Sequence, residues 1–327
     1  MREIKSLLMT ASFSDESIAK IEAAIAPGKM IRCSLKDTDD VAKALESADV
    51  AILQSDINDQ IMTGQNLKWI HCCHAGLTKS ARKEVFERNI LLTSAAGRSS
   101  PMLAEHALFF MLSLTYEVKK LLCNHENHLW EPLPEFQTRS GLYGKTAGII
   151  GVGKTGSDLA IRLKALGMRV LGYRRADANV PGVDLMYCAD KGEGIDAIIK
   201  ESDYIILCIN LSDATHHMIG AEQFSQMKNS AYVINMARGG VIDEDALIAA
   251  LENDEIAGAG LDTVTVEPLS QGSKLWNMPS VMITPHSSPQ MEEKEQRMLD
   301  TILANIDAYK HGAAMLNEFT ARDIYTK

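Results

Sequence analysis

Six residues constrain this chain most: Gly151-Val152-Gly153-Lys154-Thr155-Gly156, placed where the apolar run TAGII gives way to the amphipathic stretch SDLAIRLKALG. A G-x-G-x-x-G run is informative when it joins a strand to a helix in this way. The first glycine permits the tight turn and the second lets the backbone approach a pyrophosphate. The third lets the helix pack closely while its first amides face the anion. The spacing therefore predicts a dinucleotide held by Gly151, Gly153 and Gly156 at the edge of a parallel sheet.

The rest of the chain agrees with such a sheet. Before the glycine run, apolar runs (IKSLLM, VAIL, LKWIHCC, NILLTSA) alternate with helical segments such as ESIAKIEAAI and DVAKALESA. From Thr146 onward the strands TAGIIGV, RVLGY, YIILCI, AYVINM, AGAGLD and VMITP are mostly separated by helical stretches, one of them between RVLGY and YIILCI. This βα rhythm reads as two α/β domains, each a doubly wound parallel sheet. Between them lies a long apolar helix, roughly Met102 to Leu122, whose bulky residues occupy more than one face. The segment 124–145 that follows has two prolines and no sustained period, so it reads as a connecting loop near a domain boundary. The last helical stretch, Met291 to about Gly312, follows the completed second sheet and is expected to return to the first domain.

A net charge of −10 opposes a polyanionic partner such as nucleic acid or an acidic membrane face. No apolar run approaches the roughly 18 residues of a membrane span, and MREIKSLLMT lacks a cleavage site, so a cytoplasmic protein is expected. The cysteines 33, 72, 73, 123, 188 and 208 form no spaced framework and read as reduced thiols. His71-Cys72-Cys73-His74 contains metal-ligand types, but successive strand residues alternate faces and cannot all surround one ion. No metal site is expected there. His125 and His128 read as surface histidines, and the sixteen methionines as core filler.

At the end of strand RVLGY, where an acidic residue would hold a ribose 2′-hydroxyl, the chain has Tyr173-Arg174-Arg175. Two guanidiniums offer bidentate bonds to a 2′-phosphate, which favours NADP. Asp177, close behind, keeps NAD open.

Three further strings follow apolar strands: Asn235-Met236-Ala237-Arg238-Gly239-Gly240, Gly260-Leu261-Asp262 with Glu267-Pro268, and Thr284-Pro285-His286. Ligands of doubly wound sheets bind beyond the carboxyl ends of the strands, so Arg238, Glu267 and His286 are expected to converge near the cofactor. A cation, a carboxylate and an imidazole together suggest chemistry on a carboxylic acid.

In this order the chain resembles the D-isomer-specific 2-hydroxyacid dehydrogenases over almost its whole length. The resemblance is carried by LKWI…AGL, the AEHALFFML helix, Trp130, LYGKTAGIIGVGKTG, MARGGVIDEDAL, LDTVTVEPL and TPH. It implies a flavodoxin-like substrate domain made of residues 1–101 and 291–327. A Rossmann dinucleotide-binding domain, residues 102–290, is inserted in it, with the active site in the cleft between the two. The implied reaction moves a hydride between NAD(P)H and a small 2-oxo acid to give the D-2-hydroxy acid, glyoxylate or hydroxypyruvate reduction being one candidate. A dinucleotide-sensing, corepressor-like binding protein and phosphite oxidation are the alternatives. A formate dehydrogenase is disfavoured because that branch pairs its histidine with glutamine, whereas Glu267 stands here.

By the same resemblance Arg238 orients the substrate carboxylate and 2-oxo oxygen, and His286 exchanges the proton. Glu267 orients the imidazole and favours its charged form. Backbone amides at Ala75-Gly76-Leu77 clamp the carboxylate. Asp262 lies near the nicotinamide carboxamide, Asn210 and Thr215 beside the adenosine, and Lys154 and Thr155 at the pyrophosphate, with Met236 and Ala237 completing the cofactor set. A homodimer through the 102–122 helix is implied too. Two departures stand out: Asn210 replaces a more usual proline, and Ser287-Ser288-Pro289 follows His286 where alanine and glycine are common.

Overall fold

A computed structural model describes residues 2–133 and 141–327. The chain forms two compact units, one of residues Met1–Arg98, Ser212–Ala214 and Met291–Lys327, the other of Ser99–Leu211 and Thr215–Gln290.

The first unit is built on β1 (Ser6–Met9), β2 (Lys29–Arg32), β3 (Val50–Leu53), β4 (Trp69–Cys72), β5 (Leu91–Ser94) and β13 (Glu318–Phe319), in the order β13-β5-β4-β3-β1-β2. All pairs are parallel except β13 with β5. Every residue of β1, β3 and β4 is buried, which is why these strands read as continuous apolar runs and not as alternations. One face packs on α1 (Asp15–Ile25) and α11 (Lys294–His311), with Trp69 stacked on Tyr309 at 5.4 Å. The other face gathers Val41, Leu45, Ile61, Val85 and Phe319.

The second unit holds β6 (Thr146–Ile150), β7 (Arg169–Arg174), β8 (Leu185–Cys188), β9 (Tyr204–Leu207), β10 (Tyr232–Asn235), β11 (Gly258–Leu261) and β12 (Val281–Ile283). They lie in the order β12-β11-β10-β9-β6-β7-β8, all parallel. Strand order reverses between β6 and β9, and in such sheets the ligand crevice opens at that switch, outside the carboxyl ends. Helices α5 (Ser100–Thr115) and α7 (Lys154–Ala165) cover one face with Phe110, Met111, Leu159 and Leu163. Gly260 makes the α5 contact possible: a Cβ there would lie 2.6 Å from the Phe110 ring.

The two parallel-sheet domains match the expectation, with local differences. The single helix expected over 102–122 is two, α5 and α6 (Val118–Glu126), separated at Glu117, whose φ is 48°. α5 buries residues on several sides whereas α6 buries none, so the chain leaves the core at that turn. The stretch expected to be helical between β7 and β9 holds β8 before the short α8 (Asp196–Glu201), because LMYC is a four-residue edge strand with no alternation to announce it. β13 is too short to be legible. The connecting segment 124–145 lies partly outside the described residues.

Candidate active site

The glycine run sits at the switch between β6 and β9. Gly151 has φ 101°, and a Cβ on it would lie 2.5 Å from the Cys208 carbonyl oxygen beyond β9, so only glycine turns here. The amides of Gly151 and Val152 both donate to the Tyr173 carbonyl at 2.9 Å, tying the exit of β6 to that of β7. Gly153 precedes the first turn of α7 and supplies no side-chain cap. A Cβ at Gly153 would meet nothing within 4 Å, whereas one at Gly156 would strike the Gly151 carbonyl at 2.5 Å. Two glycines are therefore demanded by the protein's own packing, and the middle one keeps open space beside first-turn amides that no side chain caps. That open cradle fits a pyrophosphate. Lys154 and Thr155 open α7 beside it.

Arg174 ends β7, half-buried, and Arg175 follows, exposed. The Asp177 carboxylate is engaged by the Lys191 ammonium at 2.6 Å. Beyond β9 the Thr215 hydroxyl donates to the Asn210 carbonyl at 2.7 Å and closes that loop. Met236 and Ala237, just past β10, are buried.

Three strand exits carry the candidate catalytic side chains. Asn235, Leu261 and Ile283 form one register row across β10, β11 and β12, and Arg238, Glu267 and His286 all lie a few residues past it. The Arg238 Nη1 donates to the Ala237 carbonyl at 2.7 Å, and the Asn235 side chain donates to the Arg238 carbonyl at 3.1 Å. The Glu267 Oε2 lies 2.8 Å from the His286 Nδ1, while its Oε1 accepts from the Val264 amide at 3.3 Å. His286 adopts a left-handed φ of 50°, sparsely populated by non-glycine residues. Its amide donates to the carbonyls of Asp262, 2.9 Å, and Thr284, 3.0 Å.

Beneath this turn lies the Asp262 carboxylate, with protein partners that the sequence did not announce. Asp262, 2 % exposed, accepts from the Thr284 hydroxyl at 2.6 Å, the Ser287 amide at 3.1 Å and the Ser288 hydroxyl. The Ser288 departure from the family pattern thus supplies a donor to Asp262. His106 of α5 lies 2.9 Å from the Thr284 hydroxyl oxygen and 3.8 Å from Asp262. Burial holds its imidazole below the ordinary pKa, with Asp262 opposing. His106 was missed by the sequence reading, although a lone imidazole in the apolar AEHALFFML is the signal that could have found it.

In the first unit Ala75-Gly76-Leu77 leaves the carboxyl end of β4. Leu77 is buried, and its carbonyl accepts from Ser80 and Ala81 at 3.0 and 2.8 Å, which fixes the loop. His71 is wholly buried, its Nδ1 2.9 Å from the Thr93 hydroxyl, and desolvation depresses it to about 3. Cys72 packs in the core of one sheet face and Cys73 in that of the other. Among the described residues no three His, Cys, Asp or Glu side chains are grouped to hold a metal. Burial pushes the Cys73 and Cys208 thiols up to about 12, which keeps them protonated and poor nucleophiles.

Comparison with known proteins bears on this geometry. Residues 108–288 match the sequence model described as D-isomer specific 2-hydroxyacid dehydrogenase, NAD binding domain. A hydroxypyruvate reductase of Thermotoga maritima is 32% identical over 267 residues, 80% of this chain and 85% of that protein. A glyoxylate reductase of Korarchaeum cryptofilum is 32% identical over 70% of this chain and 69% of its own. Among solved structures, the D-isomer specific 2-hydroxyacid dehydrogenase of Xanthobacter autotrophicus in complex with NADPH superposes with a TM-score of 0.80 at 23% identity, covering 98% of this chain and 99% of that one. The NAD-complexed enzyme of the same description from Lactobacillus delbrueckii gives 0.73 at 26% identity over 97% and 100%.

Proposed function

Because the chain belongs to the D-isomer-specific 2-hydroxyacid dehydrogenases, we propose that it reduces a small 2-oxo acid to the D-2-hydroxy acid with NADPH as the preferred donor. The observation that carries the reading is the Glu267–His286 hydrogen bond of 2.8 Å, just past the register row of Asn235, Leu261 and Ile283 that Arg238 also follows.

When bound, the nicotinamide supplies the hydride that reaches the carbonyl carbon. The protein's part is to orient the acid and move one proton. Glu267 accepts from His286 Nδ1, which turns Nε2 toward the reactant. Protonated, Nε2 donates to the oxygen of the reduced carbonyl; neutral, it takes that proton back in the oxidation direction. The Arg238 guanidinium, held at one nitrogen by the Ala237 carbonyl, presents a planar fork to the carboxylate and stabilises charge growing on the 2-oxo oxygen. The backbone amides of Ala75-Gly76-Leu77, just past β4, are further candidates to bind a substrate carboxylate. Asp262 would accept from the nicotinamide carboxamide, and Lys154, Thr155, Asn210, Thr215, Met236 and Ala237 would line the rest of the dinucleotide.

Arg174 and Arg175 support NADP as the cofactor. The Lys191–Asp177 pair argues in the same direction, because the carboxylate that could have served an NAD ribose is already engaged. The relatives point to glyoxylate and hydroxypyruvate as first substrates to try. A homodimer fits the apolar side chains left exposed on α5, α6 and the turn between them, namely Phe109, Leu112, Tyr116, Leu121 and Leu122. Six free cysteines, several of them buried, suit a reducing cytoplasm. Among the described residues no helix is long and apolar enough to cross a membrane.

The test is NADPH and NADH consumption with a panel of 2-oxo acids, beside His286→Ala and Arg238→Ala. Turnover with glyoxylate or hydroxypyruvate that both substitutions abolish supports the assignment. Tight NADPH binding without turnover on any acid overturns it.

A further inference from the structure

We propose, resting on the nicotinamide-dependent reading above, that His106 is a positioning residue: through Thr284 it fixes the Asp262 carboxylate and the turn that carries His286.

The hydrogen-bond chain has one consistent direction. A carboxylate oxygen only accepts, so the Thr284 hydroxyl, 2.6 Å from Asp262 Oδ1, sends its proton there. The Thr284 oxygen must then accept from His106, whose Nε2 lies 2.9 Å away. His106 is therefore protonated on Nε2. Burial holds the ring below its ordinary pKa, in keeping with a neutral imidazole that carries only that proton.

Packing holds the imidazole in place. The ring stands edge-on to Phe110, centroids 4.9 Å apart, and Phe110 is the side chain for which Gly260 leaves room. α5 can thus lie close enough to β11 for His106 to reach the exits of β11 and β12.

Both residues that His106 bears on are the ones His286 depends on. The His286 amide donates to the Asp262 and Thr284 carbonyls, which hold its left-handed turn. The side chains of the same two residues meet under His106. Asp262 receives three donors, Thr284, Ser287 and Ser288. A carboxylate has about four acceptor positions, so one is left for a carboxamide N–H. Without the imidazole, Thr284 loses its donor and both the carboxylate and the turn lose a fixed point.

The experiment compares His106→Leu, His106→Gln, Thr284→Val and the double variant His106→Leu/Thr284→Val. It reads NADPH affinity by fluorescence without any oxo acid, kcat and KM, melting temperature, and the long-range 1H–15N signature of the imidazole. The expected wild-type ring is the Nε2–H tautomer, and Thr284→Val relaxes that preference. NADPH affinity and kcat are expected to fall about tenfold in each single leucine or valine variant, the scale of a lost buried hydrogen bond. The double variant is expected to be no worse than either single one. The glutamine amide, which can donate to Thr284, restores most of the loss, and KM for the oxo acid changes little. Multiplying defects in the double variant, a glutamine variant no better than leucine at equal melting temperature, or an Nδ1–H ring would each overturn the proposal. A wild-type protein that does not bind NADPH would instead overturn the cofactor reading beneath it.

Discussion

Glu267 and His286 leave different strands, β11 and β12, and still meet across 2.8 Å. Because the carboxylate engages Nδ1, Nε2 is the ring nitrogen left for the proposed proton exchange. His286→Ala is expected to lower kcat by about 10² to 10⁴-fold, the usual worth of a positioned acid or base. Glu267→Gln keeps an acceptor for Nδ1 but removes the charge, so its kcat should fall less while KM hardly moves. Steady-state kinetics with NADPH in excess decides, and a His286→Ala enzyme within about twofold of wild type would sink the assignment.

Arg174 ends β7 and Arg175 follows it, the pair proposed to receive a 2′-phosphate, and the carboxylate of Asp177 is held by Lys191 at 2.6 Å. Arg174→Ala/Arg175→Ala should raise the KM for NADPH on the order of tenfold or more while leaving that for NADH nearly unchanged, since the lost bonds are charge-assisted ones to a group that NADH lacks. Equal losses for both cofactors would mean that the arginines serve the loop and not the phosphate.

Ser288 donates to Asp262 through its hydroxyl, whereas Ser287 does so through its backbone amide. The two neighbours should therefore respond differently to alanine. Ser288→Ala leaves a buried acceptor short of a donor, which costs about 1–3 kcal/mol, and should lower both melting temperature and NADPH affinity. Ser287→Ala keeps its amide and should do neither. Identical behaviour of the two variants in thermal shift would contradict the geometry.

Part of this architecture is written in local sequence signals and part is not. Gly151, Gly153 and Gly156, the strands around them and the ends of β10, β11 and β12 were legible because glycine spacing and apolar runs are local signals. The glycine roles came out as physics requires: two are forced by backbone contacts at 2.5 Å and one faces open space. β8 and β13 were not legible, being edge strands of four and two residues whose existence depends on a neighbour to pair with. Nor was the break at Glu117, where no proline or glycine marks the turn. His106 stayed hidden for a different reason: its partner Thr284 is 178 residues away, and only packing of α5 on β11 brings them to 2.9 Å.

His71 gives a prediction about stability in acid. Its folded pKa is depressed from 6.5 to about 3 by complete burial. Between those two values the unfolded chain binds a proton that the folded chain does not, so unfolding is favoured as pH falls. The stability is fully present above about 6.5 and is lost progressively toward about 3. His71→Leu removes the titrating group, and the fall in melting temperature between pH 6.5 and 4 should be shallower in that variant. Parallel curves for the two proteins would show that other groups govern acid unfolding.

Gly153 separates folding from binding most cleanly. Its φ of −94° lies outside the left-handed region, and an added Cβ meets no protein atom within 4 Å, so Gly153→Ala should melt close to the wild type. The methyl group would nonetheless stand where the backbone must come close to a pyrophosphate. NADPH affinity should therefore drop by about tenfold or more even though the fold is intact. Gly156→Ala offers the opposite control: its Cβ would lie 2.5 Å from the Gly151 carbonyl, so the turn itself must give way and stability should fall with affinity. Titration calorimetry beside thermal denaturation reads both quantities on each variant. If Gly153→Ala binds NADPH as wild type does, the open space beside α7 is not the phosphate cradle.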